Sequence, residues 1–139
     1  MPIHQDFLMR QIEIMARTLA KLIFDKDTTE YIILHEDGFS ETDLVLKELI
    51  GLIGEQKINE AENLLFEYIR AEIALNEANH DMPEERIYLE IAIDFYSRLN
   101  NLSDKFLAAC GFERSEIDDG MREVAEIYNF DVNIQRTEG

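Results

Sequence analysis

The sequence predicts an all-α fold, a stack of antiparallel helical hairpins with five to six helices. Three observations support this prediction: apolar residues recur at spacings of three and four, capping residues precede several of these segments, and only two prolines occur in 139 residues. The connections are short, which favours antiparallel neighbours. We therefore expect a single helical domain over residues 1–139, with an N-terminal amphipathic helix at 1–26 and a body of helical hairpins at 40–128.

The first helix, predicted at residues 5–25, has a regular apolar seam. Its residues follow one another at spacings of four, three, four and three: Leu8, Ile12, Met15, Leu19 and Leu22. Residues 1–26 hold four Lys/Arg and three Asp/Glu, a net charge of +1, whereas the rest of the chain holds nine and 27, a net charge of −18. We predict that this seam is an interaction surface that docks on the body, on a second copy or on another protein.

The next segments are a connector and two helices. Residues 27–39 are predicted to form the connector. Ser40, with Asp43 three residues later, has the pattern of a helix N-terminus, and the helix that follows is predicted to end at Gly54. The second helix of this pair is predicted from about residue 58 to 77.

The helix predicted at residues 82–99 is apolar around most of its circumference, which indicates a central position contacted on several sides. Its polar residues form a narrow stripe that is expected to face solvent: Arg86, Glu90, Asp94 and Arg98. Ser103 is predicted to cap a short helix that Gly111 ends, and Ser115 is predicted to cap a last helix that reaches about residue 128.

The overall charge and the cysteine content exclude several classes of function. A net charge of −17 disfavours nucleic acid and anionic membranes as partners, because both need a basic face. Residues 106–128 have the outline of a helix-turn-helix, but the predicted recognition helix is acidic. Cys110 is the only cysteine, so no disulfide forms within the chain. No apolar run is long enough to span a membrane, and the first residues are too charged for a signal peptide, so we expect a cytoplasmic protein.

Glu77 and His80 form a Glu-x-x-His pair, which has two interpretations. Di-metal sites in helix bundles use two such pairs and two further glutamates, and this chain has only one pair. The favoured interpretation is a helix boundary, in which Asn79 ends one helix and Asp81 is the N-cap of the next. We therefore predict no metal, no cofactor and no catalytic residue here, and keep a metal site at Glu77 and His80 as the alternative.

Two resemblances add to this interpretation. The stretch "LKELIGLIGEQKINEAENLLFEYI" (46–69) resembles a degenerate tetratricopeptide unit, which implies a helical hairpin. With "QDFLMRQIEIMARTLAKLIFDK" and "GFERSEIDDGMREVAEIY", the whole chain resembles a family of short bacterial all-helical proteins of unknown function. This resemblance implies a bacterial, cytoplasmic, helical protein and assigns no catalytic residue.

The leading functional hypothesis is a non-enzymatic protein–protein interaction or scaffold domain. Its partner would be another protein or a second copy, in a homodimer formed through the N-terminal helix. The alternative is a helical-bundle metal-binding protein or enzyme that uses Glu77 and His80. A third hypothesis is an acidic regulator of a basic partner.

Overall fold

The computed structural model describes residues 3–31 and 40–131, with side chains from residue 6 onward. These residues form six α-helices and no strand, which confirms the all-α class. The helices are α1 (Ile3–Phe24), α2 (Glu41–Gly54), α3 (Ile58–Ala78), α4 (Ile87–Asn100), α5 (Asp104–Ala109) and α6 (Arg114–Ile127). None of these six is long and apolar enough to cross a membrane. Residues 32–39 of the predicted connector lie outside the described residues.

The α2–α3 pair follows the local signals in the sequence. The Ser40 hydroxyl accepts a hydrogen bond from the Asp43 amide, and the Asp43 carboxylate accepts one from the Ser40 amide, both at 3.1 Å. This reciprocal capping box confirms the predicted start of α2. Helix α3 ends at Ala78 with Asn79 as its C-cap, as predicted, and the Asn79 side chain donates to the Leu75 carbonyl at 3.0 Å.

Helix α4 begins at Ile87, so the prediction of an N-cap at Asp81 is wrong. A buried side chain from α3 caps the helix instead. The Glu72 carboxylate accepts hydrogen bonds from the amides of Ile87 at 3.2 Å and Tyr88 at 3.1 Å. The first amides of a helix have no partner within the helix, and a carboxylate supplied by tertiary packing satisfies them as well as a local cap does.

Helix α4 is the centre of the molecule, as the breadth of its apolar surface predicted. It packs against α1, α2, α3 and α6. Its apolar side chains are nearly all buried: Tyr88, Leu89, Ile91, Ala92, Ile93, Phe95, Tyr96 and Leu99. The Tyr96 ring lies against Gly120 of α6, where a Cβ atom would stand 2.6 and 2.7 Å from two ring carbons. The absence of a side chain at Gly120 therefore sets how closely α4 and α6 approach.

The first helix packs beside the last. Helix α1 contacts α4 and α6, so the first and last of the described helices meet beside the central helix. In a tetratricopeptide-like stack, each hairpin contacts its neighbours in sequence order. Such a stack of antiparallel hairpins is not confirmed by these contacts.

The polar stripe of α4 is partly covered by the chain that follows α1, so the expectation of a solvent-facing stripe is corrected. Three contacts hold residues 26–31 along it: Lys26 Nζ to Glu90 at 2.7 Å, Thr29 to Ser97 between hydroxyls at 2.9 Å, and the Tyr31 amide to Asp94 at 2.6 Å. The Asp94 carboxylate, which also pairs with Arg98, is 99 % buried as a result. Polar residues on one face of a helix therefore bind a neighbouring segment here.

Helices α5 and α6 form the last pair. Helix α5 follows its predicted cap Ser103, and Gly111, with a φ of 68°, takes a left-handed conformation after it. Helix α6 begins at Arg114, so the predicted cap at Ser115 is wrong. Its N-cap is Glu113, which takes part in a reciprocal capping box one turn long.

Candidate interaction surface

The predicted seam of α1 is divided between the core and the surface. Ile12, Met15 and Leu19 are at most 4 % exposed and belong to the hydrophobic core of the chain. Leu8 is half-buried against that core, and Leu22 is 75 % exposed. Three of the five seam residues are therefore out of reach of a partner while α1 packs on α4 and α6. Association through the seam as a whole stays a prediction.

A second apolar stripe of α1 faces outward. We call Phe7, Ile14 and Leu22 the outer stripe; they are 58 %, 53 % and 75 % exposed. At about 100° per residue, Phe7 and Ile14 point within about 20° of each other, and Leu22 lies about 80° from Ile14. Among the described residues, no other helix has more than two exposed large apolar side chains. Helix α1 therefore has more exposed large apolar side chains than any other described helix.

Basic residues flank the outer stripe. Arg10, Arg17 and Lys21 are all exposed on α1. Arg17 pairs with Glu13 at 3.3 Å, and Lys21 pairs with Asp25 at 3.1 Å. The hydrogen bond from Lys21 to Asp25 raises the pKa of Lys21. Exposed pairs of this kind are weak and are screened by salt, so these cations stay available for a partner's carboxylates.

Two recesses border α1. The larger, about 790 Å³, lies beside Leu8 and is lined mainly by α5 and the start of α6, with Leu107 and Phe112 among its apolar residues. The smaller, about 50 Å³, lies between Leu22 and Phe130. The surface near each end of the outer stripe is thus concave.

A buried arginine fixes α1 relative to the larger recess. Arg114 donates to the carbonyl of Asn100 at 2.6 Å and to that of Leu102 at 2.8 Å. It also pairs with Asp104 at 2.8 Å. The Asn100 side chain donates in turn to the Met9 carbonyl at 2.9 Å. These bonds connect α1, α4, α5 and α6, so the surface is presented by a rigid support.

Glu77 and His80 do not share a helix face. Helix α3 ends at Ala78, so the spacing of three residues no longer places both side chains on one side of a helix. His80 is 81 % exposed, and its Nε2 lies 3.6 Å from Asp81, whose side chain is 93 % exposed. Within residues 3–31 and 40–131, no three His, Cys, Asp or Glu side chains are grouped to hold a metal ion.

Two carboxylates of α3, one half-buried and one buried, bind tyrosines. Glu62 accepts from the Tyr96 hydroxyl and Glu72 from the Tyr128 hydroxyl, each at 2.6 Å. Desolvation is the main cause that raises the pKa of both tyrosines, and the bonds to the carboxylates raise it further. Desolvation also raises the pKa of Glu62. Because these pairs connect α3 to α4 and to α6, their evident role is to join helices.

Cys110 is half-buried, and desolvation raises the pKa of its thiol. A raised pKa lowers the fraction of reactive thiolate at neutral pH.

Sequence reasoning missed the parts of α1 that face outward. Phe7 and Ile14 stand seven residues apart, and this spacing was a usable signal. It was hidden because the seam beside it has the stronger periodicity. The buried role of Glu72 had no signal in the local sequence.

The comparisons with known proteins give a family and no activity. A family model described as a family of unknown function (DUF6483) matches residues 2–129. No curated protein and no solved structure matches the chain. The match confirms the resemblance to a helical family of unknown function and covers nearly all of the sequence. The chain belongs to the family of unknown function DUF6483.

Proposed function

We propose that this chain is a non-enzymatic helical interaction domain that binds a protein through the outer stripe of α1. The observation that carries the proposal is the exposure of Phe7, Ile14 and Leu22, each more than half accessible, on one helix. Full burial of a side chain of this size stabilises a complex by about 1.5–3 kcal/mol. Three such side chains on one rigid element are enough to serve as the centre of an interface.

The packing of α1 supports a surface that is formed before the partner arrives. Ile12, Met15 and Leu19 hold the helix in the core, and the Asn100 side chain binds the Met9 carbonyl. Binding to a rigid helix loses less conformational entropy than binding to a segment that must fold first. The proposal does not depend on the tetratricopeptide-like stacking, and it keeps the expectation of a cytoplasmic protein.

The test is photo-crosslinking inside the cells that express the chain. A photoreactive phenylalanine analogue replaces Ile14, and matched controls carry it at Leu44 on α2 and Leu75 on α3, which are 54 % and 62 % exposed. We expect a discrete protein adduct at Ile14 and no comparable adduct at either control. Equal crosslinking at all three positions would mean that the outer stripe is an ordinary exposed surface, and the proposal would be abandoned.

A further inference from the structure

We infer that the partner of the outer stripe is a second copy of this chain, so that the protein forms a two-fold homodimer through α1. This inference rests on the proposed function and names its partner. Three features of the chain support it: the distribution of charge, the spacing of the stripe and the acidic surface of α6.

Charge restricts where two copies can meet. Each copy carries a net charge of −17, so most of the two surfaces repel each other. At physiological ionic strength, exposed charges act over about 8 Å, so the local charge at a contact decides whether two copies attract or repel each other there. Residues 1–26 carry a net charge of +1, so the first helix does not share the negative charge of the rest of the chain.

The neighbouring helix supplies the complementary charge. Helix α6 packs beside α1, and the carboxylates of Glu113 and Glu116 at the start of α6 line the recess beside Leu8. A second copy brings its own exposed Arg10 and Arg17 close to such a surface. In a two-fold contact each acidic surface can meet the other copy's basic residues, and the favourable pairing occurs twice.

The spacing of the stripe suits a two-fold axis. Ile14 lies between the other two residues, with Phe7 about 10.5 Å away on one side and Leu22 about 12 Å away on the other, at 1.5 Å per residue. A two-fold axis near Ile14 therefore brings the two Ile14 side chains together, whether the helices run parallel or antiparallel. In the antiparallel case, Phe7 of each copy reaches the recess beside Leu22 of the other.

The size of the stripe predicts a weak dimer. It is about 22 Å long on a helix about 10 Å wide, well below the roughly 800 Å² per partner of a standard interface. The dissociation constant is therefore expected in the micromolar range, with monomer and dimer in exchange.

The first experiment measures the molar mass of the full chain by sedimentation equilibrium, from roughly 5 to 500 µM. We expect a mass that rises from monomer to dimer. Ile14→Asp is expected to weaken dimerisation at least about 100-fold, because both copies then place a charge at the axis. The matched control Leu75→Asp, at a position 62 % exposed on α3, is expected to dimerise like the unchanged chain. Circular dichroism verifies that both variants are folded.

The second experiment tests the position of the axis by disulfide formation in a Cys110→Ser background. Ile14→Cys is expected to form a covalent dimer under mild oxidation, and Leu75→Cys is not. Mixing Phe7→Cys with Leu22→Cys then reports the orientation: mixed pairs indicate antiparallel helices, and pairs of like positions indicate parallel ones. Either pattern supports the inference.

The results separate this inference from the proposed function. A chain that stays monomeric at every concentration, with Ile14→Cys crosslinking no faster than Leu75→Cys, overturns the homodimer. If Ile14 nevertheless gives a photo-adduct with a different protein in cells, the interaction domain stands and its partner is not a second copy. If Ile14 gives no specific adduct either, both the inference and the proposed function are wrong.

Discussion

Replacement of Glu72 by alanine is expected to lower the free energy of unfolding by about 3 kcal/mol. The Glu72 carboxylate is 94 % buried and accepts three hydrogen bonds, two from the first amides of α4 and one from the Tyr128 hydroxyl. The Glu72 carboxylate thus joins α3 to the start of α4 and to the residue that follows α6.

The magnitude follows from the bonds that are lost. Loss of a helix cap costs about 1 kcal/mol, and a buried tyrosine hydroxyl without an acceptor costs a further 1–3 kcal/mol, roughly. A domain of this size is stable by about 5–15 kcal/mol, so the variant would lose a large fraction of its stability. The variant Tyr128→Phe removes the donor together with its need for a partner, and is expected to cost only about 1 kcal/mol.

The assay is urea denaturation followed by circular dichroism, with Glu77→Ala as the control because Glu77 is an exposed glutamate on the same helix. We expect a lower midpoint for Glu72→Ala with an unchanged slope, and a control shift below about 0.5 kcal/mol. The double variant Glu72→Ala/Tyr128→Phe should lose less stability than the sum of the two single variants, because Glu72 and Tyr128 share a hydrogen bond. Equal midpoints for Glu72→Ala and Glu77→Ala would refute the capping role.

Three further predictions concern the contacts around α4 and α6. Gly120→Ala should destabilise the fold by about 1–3 kcal/mol, because its Cβ would overlap the Tyr96 ring. Gly51→Ala has open space around it and should stabilise α2 by up to about 1 kcal/mol. Equal melting temperatures for the two variants would contradict this prediction. Arg114→Leu should cost about 3–5 kcal/mol, since it leaves buried carbonyls without donors, and a variant that melts like the unchanged chain would count against it. Desolvation raises the pKa of Glu62 above its ordinary value of 4.5, so the stability that its protonated form contributes is present below pH 4.5 and is lost as the pH rises through the folded pKa. Relative to the unchanged chain, Glu62→Gln should therefore gain stability as the pH rises above 4.5 in denaturation series, and a pH-independent difference would argue against the raised pKa.

The helices that the sequence predicted well are those whose signals are local. Ser40 and Asp43 cap α2 as predicted because the two residues of a capping box lie within one turn and need no tertiary partner. The central position of α4 was also predictable, since a helix that is apolar on most sides must be covered on most sides.

The start of α4 was predicted wrongly because the deciding group is distant in sequence. The segment after α3 contains Asp81, which has the local pattern of a cap. The helix nevertheless begins at Ile87, whose amide donates to the buried Glu72 carboxylate. Capping by Glu72 depends on the α3–α4 packing, which no local pattern encodes. The polar stripe of α4 was predicted to face solvent for the same reason. Its partners in residues 26–31 lie more than sixty residues away in sequence, so no local pattern indicates these contacts.

The two stripes of α1 show why the strongest periodic signal in a chain can mark its own core rather than its surface. The regular seam of Ile12, Met15 and Leu19 meets the rest of its own chain at a high effective concentration, without the loss of translational freedom that a second molecule brings. The chain itself therefore covers the best apolar stripe first and leaves the weaker one beside it exposed. For an amphipathic helix that packs in its own domain, the residues to test for binding are the apolar side chains left over after the seam is buried. In this chain they are Phe7, Ile14 and Leu22, and of these only Leu22 belongs to the predicted seam.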